Sequence, residues 1–224
     1  MCGRFAIGIP PFDAVKYFNI EELVEFTPRY NVAPTEFAPV IIKREQSNKR
    51  EIKMFRWGLI PPWSKDVKIG FQLINARAET VAEKPAFRSA FKNRRCLIPA
   101  TGFYEWKKYD GKKQPMFIRM QDEKPFTFAG IWETWKAYDH TTIESFSIIT
   151  TQSNDLLKEV HDRMPVILQK EDYDVWLDSE KSRQEELQSL LKPYPPDLMT
   201  FYRVESYVND PQYEGPECIK QIFY

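Results

Sequence analysis

The chain has 224 residues, 42% hydrophobic and 15% aromatic, enough apolar material for a substantial core in one domain. Its 32 basic and 32 acidic residues cancel, so any nucleic-acid surface must be local rather than a property of the whole chain. With no run of about 18 apolar residues and no charged-then-apolar leader, neither a membrane span nor a signal peptide is expected and the protein is assigned to the cytoplasm; cysteines at 2, 96 and 218 are an odd, widely spaced set that argues against a disulfide framework and against a zinc site.

In chain order, the first feature is the opening "MCGRF", which puts Cys2 where loss of Met1 would leave it N-terminal. "FDAVKYFNIEELVEF" (12–26) has helical apolar spacing. "APVII" and "KMFRW" read as strands on either side of a polar hairpin or loop tip, "KREQSNKRE" (43–51). Further strand-like runs follow: "RCLIP", "GFYEW", "PMFIRM", "FTFAGIW", "ESFSIITT" and "MPVIL". "SNDLLKEVH" (153–161) predicts a helix N-capped by Ser153, and "EDYDVWLDSE" and "RQEELQSLL" predict one or two more. Strands outnumber helices and 17 prolines fix many turns. The predicted class is α+β: a single domain over 1–224 with a largely antiparallel, barrel-like sheet and flanking helices.

Cys2 carries the first chemical signal. With Met1 removed it would present an α-amine of ordinary pKa ~8 beside a thiol of ~8.5, both partly available near neutrality. Such a 1,2-aminothiol captures aldehydes: the amine condenses to a Schiff base and the thiolate closes onto it as a five-membered thiazolidine. The plainer reading is a small buried hydrophobe at a strand start. Asn75 in "LINARAET" offers an amide to amine and hydroxyl groups, or else caps a turn. Glu105, between Tyr104 and Trp106, would be a proton shuttle near pH 7 if held among aromatics, and a solvated carboxylate otherwise. His161, in "EVHDRMPVIL", is one of only two histidines, and His140 lies in a turn-like segment.

Taken together, "MCGRF", "YNVAPT" (30–35), "RWGLIPPW" (56–63), "INARAET", "CLIPATGFYEW" and "HDRMPVIL" resemble the SOS response-associated peptidase (SRAP) family of abasic-site processing proteins, in the same order, up to about "SYVNDP" (206–211). The resemblance implies binding of abasic sites in single-stranded DNA. It also implies a reversible covalent thiazolidine crosslink through Cys2, with AP-lyase strand cleavage as a competing route and Met1 removed autocatalytically or by an aminopeptidase. On the same footing Asn75 orients the amine and the sugar, Glu105 is the acid/base, and His161 contacts the sugar or its phosphate. Arg4, Arg77 and Arg163 would hold flanking phosphates, Trp63 would stack beside the lesion, and Pro34 would shape that groove. Ser64 stands where some members carry a second aromatic, and Pro85 falls where some relatives place a basic residue, with Lys84 and Arg88 close by.

No metal or organic cofactor is implied, and a nucleoid-associated monomer suffices to capture one lesion. Two other classes stay open. One is an N-terminal-nucleophile amidotransferase or hydrolase, whose chains also begin Met-Cys-Gly but which Arg4-Phe5 fits poorly; the other is a non-catalytic reader of modified DNA.

Overall fold

The computed structural model describes residues 2–22, 24–44, 49–109, 111–180 and 182–223. Its elements run β1 (Phe5–Ile7), α1 (Pro11–Phe18), β2 (Arg29–Val32), β3 (Phe37–Lys43), β4 (Arg50–Trp57), β5 (Asn75–Arg77), α2 (Arg88–Asn93), β6 (Arg95–Ala100), β7 (Gly102–Tyr109), β8 (Lys112–Met120), β9 (Phe126–Lys136), β10 (Thr142–Gln152), β11 (Arg163–Pro165), β12 (Ile167–Leu168), α3 (Tyr173–Leu177), α4 (Gln184–Ser189) and β13 (Met199–Arg203).

Two sheets result. Five strands in the order β13-β8-β7-β1-β2 make an antiparallel sheet. The second sheet runs β11-β10-β4-β3-β6-β9-β12 with β5 attached to β10, and direct pairing of β9 with β10 closes β10, β4, β3, β6 and β9 into a barrel. The expected barrel is therefore present. Its pairing is mixed at one seam, because β10 runs parallel to both β4 and β5.

That seam shapes the site. Along one edge β10 passes from β4 (at Ser145 and Phe146) to β5 (at Ile148 to Thr150), and along the other from β9 to β11. Asn75, Arg77 and Arg163 lie beside β10 where these pairings change over.

The five-stranded sheet packs on the barrel through aromatics set by the period-2 rule. Phe5 meets Trp57 and Phe128 edge-on, at 5.0 and 5.8 Å between centroids, and Phe103 meets Phe128 at 5.8 Å. Alternation along β7 puts Glu105 on the barrel-facing side with Phe103, whereas Tyr104 faces a smaller apolar cluster with Ala6, Phe117, Val204, Val208 and Cys218. The segment after β13 straps across that outer face. Val208 O accepts from Arg4, Asp210 O and Tyr213 O accept from Asn31 Nδ2, and Glu214 pairs with Arg29.

Several sequence expectations need correction. The helix expected over 12–26 stops at Phe18, because Asn19 turns left-handed (φ 55°) and the Ile20 N–H closes on Val15 O. The helix expected over 153–161 is a single 3-10 turn, Leu157–Glu159. Its cap is Asn154, whose Oδ1 accepts from Leu157 N at 2.9 Å, while the buried Ser153 hydroxyl has no partner among the described residues. "MPVIL" breaks at Val166, where the chain crosses from β10 to β9. The 43–51 hairpin is bracketed by the Lys43–Arg50 ladder pair, and residues 45–48 of its tip lie outside the described residues. No helix of the described residues is long and apolar enough to cross a membrane.

Candidate functional site

Asn75 is the first residue of β5, and its place is fixed from both sides. Trp57 Nε1 donates to Ile74 O at 2.9 Å, and Ile148 N donates to the same carbonyl at 3.0 Å. So held, the Asn75 amide donates through Nδ2 to Cys2 O at 2.8 Å, joining residues 73 positions apart. Its Oδ1 is buried with no hydrogen-bond partner among the described residues. A buried amide acceptor without a donor is costly, and this one belongs to a side chain already bonded to Cys2.

Cys2 leads into β1 and its side chain is wholly buried. The Sγ makes one weak contact, donating to Arg4 O at 3.9 Å. Burial, reinforced by the negative charge of Glu105, pushes the thiol well above the ordinary cysteine range. This shift belongs to the chain that still carries Met1, in which burial keeps the sulfur a thiol.

Glu105 follows Tyr104, whose N–H donates to Arg4 O at 3.0 Å, so it stands beside the chain between Cys2 and β1. It is buried, and burial raises its pKa against the opposing pull of nearby charges that include His161. Tyr104 and Trp106, its neighbours in sequence, turn to the opposite face of β7, so the shift comes from burial against the barrel and not from those two rings.

His161 lies in the loop before β11. Its Nδ1 is 3.0 Å from the Arg163 N–H and 2.8 Å from Asp162 Oδ1, and one nitrogen cannot accept from the first while donating to the second. Asp162 is exposed, whereas the Arg163 N–H belongs to the start of β11, so the backbone bond orients the ring. An ion pair from Lys107, two residues along β7 from Glu105, to Glu159, two residues before His161, spans 3.2 Å and ties the two segments together. The fold therefore gathers Cys2, Asn75, Glu105 and His161 from four separate stretches of chain.

The expected phosphate ligands are placed less uniformly. Arg77 is exposed on β5. Arg4 is half-buried and its Nη1 donates to Asn31 Oδ1 and Val208 O, at 2.8 and 2.9 Å. Arg163 forks onto Glu79 at 3.0 and 2.9 Å and also donates to Thr150 O at 2.6 Å, so an arriving anion must share it with that carboxylate. The fork holds the Glu79 carboxylate below its ordinary range. Pro34 sits in the turn before β3, ahead of Thr35 at φ 76°. Trp63 is 60% exposed on the loop between β4 and β5.

The sequence reading did not foresee the parts played by Glu79, Thr150, Lys107 and Glu159. Only Glu79 carried a signal, as a charged residue two positions beyond Arg77 on a short strand. Among the described residues no cluster of His, Cys, Asp and Glu is arranged to hold a metal ion.

Comparison with known proteins follows this geometry. The family model described as SOS response associated peptidase (SRAP) matches residues 1–211. The chain is 46% identical to abasic site processing protein YoqW of Bacillus subtilis (strain 168), covering 98% of this chain and 99% of that protein. It is 34% identical to abasic site processing protein HMCES of Rattus norvegicus over 87% of this chain and 65% of that one. A crystal structure of a Bacteroides thetaiotaomicron protein superposes with a TM-score of 0.88 at 29% identity, covering 99% of this chain and all (100%) of the other.

Proposed function

The chain belongs to the SOS response associated peptidase family, and from that premise we propose that it processes abasic sites in single-stranded DNA by forming a reversible thiazolidine with the ring-opened sugar through Cys2. The observation that carries this reading is the hydrogen bond from Asn75 Nδ2 to Cys2 O, with the Asn75 Oδ1 left as a buried acceptor beside it.

The chemistry runs in two bond-forming steps. Hydrolysis of the Met1–Cys2 peptide bond, by the protein itself or by an aminopeptidase, frees the α-amine. Asn75 Oδ1 accepts one of its protons and so turns the nitrogen lone pair toward the aldehyde. Nitrogen adds to the sugar C1′, and the carbinolamine loses water on receiving a proton from Glu105, which its buried site keeps protonated to higher pH. The resulting iminium brings positive charge next to the Cys2 sulfur. That charge opposes the two influences, burial and Glu105, that hold the thiol protonated, so sulfur becomes nucleophilic when its electrophile is in place. The S–C1′ bond forms, the thiol proton leaves to the emptied Glu105 carboxylate, and one water is lost overall. Reversal runs the same steps backward: the Glu105 carboxyl returns a proton to sulfur as the nitrogen lone pair expels it from C1′, and water then adds to the iminium with the carboxylate taking up a proton.

The iminium also acidifies the sugar C2′ hydrogen, so removal of that proton would cleave the strand by β-elimination; ring closure consumes the iminium and competes with this route. Arg77, Arg163 and Arg4 serve the flanking phosphates, His161 the sugar or its phosphate, and Trp63 with Pro34 a neighbouring base.

The test is to mix the protein with a single-stranded oligonucleotide bearing one abasic site. A product that survives denaturing electrophoresis is expected, with the mass of protein lacking Met1 plus DNA less one water. Absence of that species, or equal yield from Cys2→Ala, refutes the proposal.

A further inference from the structure

The outer face of the β3–β4 hairpin carries side chains that the reaction above leaves unused. Phe37 and Arg56 are direct partners across the ladder, with Pro39 and Met54 the next pair on that face. Phe37 is 52% exposed, and Phe71, 59% exposed, holds its ring centroid 5.9 Å from the Arg56 guanidinium carbon. Rings turned to water add little to a hairpin's own stability, and a cluster of them marks a contact surface.

Arg56 is the second anomaly. Its hydrogen bond to Gly58 O spans 3.5 Å, the outer limit of such a bond, and among the described residues no carboxylate pairs with it. Burial alone acts on its pKa, pulling it down with no acid nearby to oppose the shift. Arg29, Arg50 and Arg163 by contrast all meet carboxylates. A partly desolvated guanidinium without an anion is a position at which an incoming anion gains more than it would in open water.

Continuity with Trp63 says what the anion belongs to. The loop that carries Trp63 leaves at Gly58 and returns at Gly70, and the two backbones cross closely: a Cβ on Gly58 would lie 2.5 Å from Gly70 O, and one on Gly70 would lie 2.8 Å from Arg56 Nη1. Ser145 Oγ accepts from Ile60 N, and Trp135 Nε1 donates to Ser64 O, both at 2.8 Å, so the loop is braced along its length. Trp63 therefore stands on a fixed support whose base is the Arg56–Phe71 pair.

We propose that Arg56, Phe71 and Phe37 form a second single-strand subsite, in which Arg56 takes a phosphate of the DNA flanking the lesion and the two rings take a base. A nucleotide presents an anion and a flat apolar face together, which is the pairing this patch offers; an acidic peptide matches the charge but supplies no planar partner for the rings. The inference rests on the proposed capture of single-stranded abasic DNA, and it extends the bound length beyond Trp63 on one flank only.

The experiment measures binding of labelled single strands carrying a non-aldehyde abasic analogue, with flanks of roughly 4 and roughly 16 nucleotides on either side, and in parallel covalent capture of the same strands carrying a true abasic site. Wild-type protein should bind more tightly when one particular flank is lengthened. Phe71→Ala should lose about tenfold of that gain while binding and capturing the short strand as wild type does. Arg56→Gln should flatten the dependence of log affinity on log salt by about 0.7. Should Arg56→Gln fold poorly because of its place at the glycine crossing, the exposed Phe71→Ala decides alone. An unchanged flank effect in Phe71→Ala, in a protein that still captures the short strand, overturns this subsite and leaves the patch to a protein partner. A wild type that captures no abasic strand of either length defeats the proposed function itself, and this subsite with it.

Discussion

Two buried polar clusters lie in this molecule, and they are completed to different degrees. Arg95, at the start of β6, is 4% exposed, and its guanidinium donates to the carbonyls of Trp176, Phe91, Lys92 and Asp178 at 2.6 to 2.8 Å. Burial lowers its pKa only to about 10, so it keeps its charge at neutrality. Cys2 and Glu105 are as deeply buried, with the half-buried Asn75 beside them, yet among the described residues the buried Asn75 Oδ1 has no donor and the Cys2 sulfur has one long contact. A finished cluster holds the fold together; an unfinished one keeps bonding capacity for something that arrives later.

Four substitutions probe that contrast, in falling order of effect. Cys2→Ala should abolish the denaturation-resistant product completely while leaving the protein folded, since a small side chain replaces a small side chain; residual product would break the contrast at its root. Arg95→Met should cost about 3 kcal/mol or more in urea unfolding, because it strands four buried carbonyls. Its capture rate per folded molecule should stay at the wild-type value, and a slower rate would show that the finished cluster also serves the chemistry.

Glu105→Gln should slow capture by about 100-fold through loss of the proton donor. It should also stabilise the protein at neutral pH. The sign follows from the raised pKa: above about pH 4.5, the ordinary value, the unfolded chain gives up this proton before the folded one does, so wild-type stability falls as pH rises toward the folded value. Chemical denaturation from pH 4 to 8 reads the difference between the two proteins, and identical profiles would place the Glu105 carboxyl in an ordinary environment. Asn75→Ala should slow capture by roughly tenfold while changing stability by less than about 1 kcal/mol, since it removes one hydrogen bond and one unsatisfied acceptor together. A large loss of stability instead would make Asn75 a structural residue.

Legibility in the sequence followed the range of the forces involved. The long strands were readable because Ile, Val and Phe at alternate positions impose period 2 locally, and Cys2, Asn75, Glu105 and His161 were singled out by the shared order of six short motifs, none of them telling by itself. The parallel seam of β10 with β4 and β5 was not, since alternation says which face a side chain takes and nothing about which strand lies alongside. Likewise the helix from 12 was cut short by one left-handed Asn19 that apolar spacing does not register. Burial of Cys2 was one of two readings left open by the sequence, because it depends on a tertiary contact between two sheets. The bonds that occupy Arg4 were equally hidden, because Val208 stands 204 residues away.

That last distance sets an order of events during synthesis. Chains grow at roughly 5 to 20 residues per second, so the residue that anchors Arg4 is made roughly 10 to 40 seconds after Arg4 itself. Throughout that interval the strand leading from Cys2 has neither its strap nor its full set of neighbours. The strand leading from Cys2 therefore gains this anchor only once residue 208 has been made, long after its own residues.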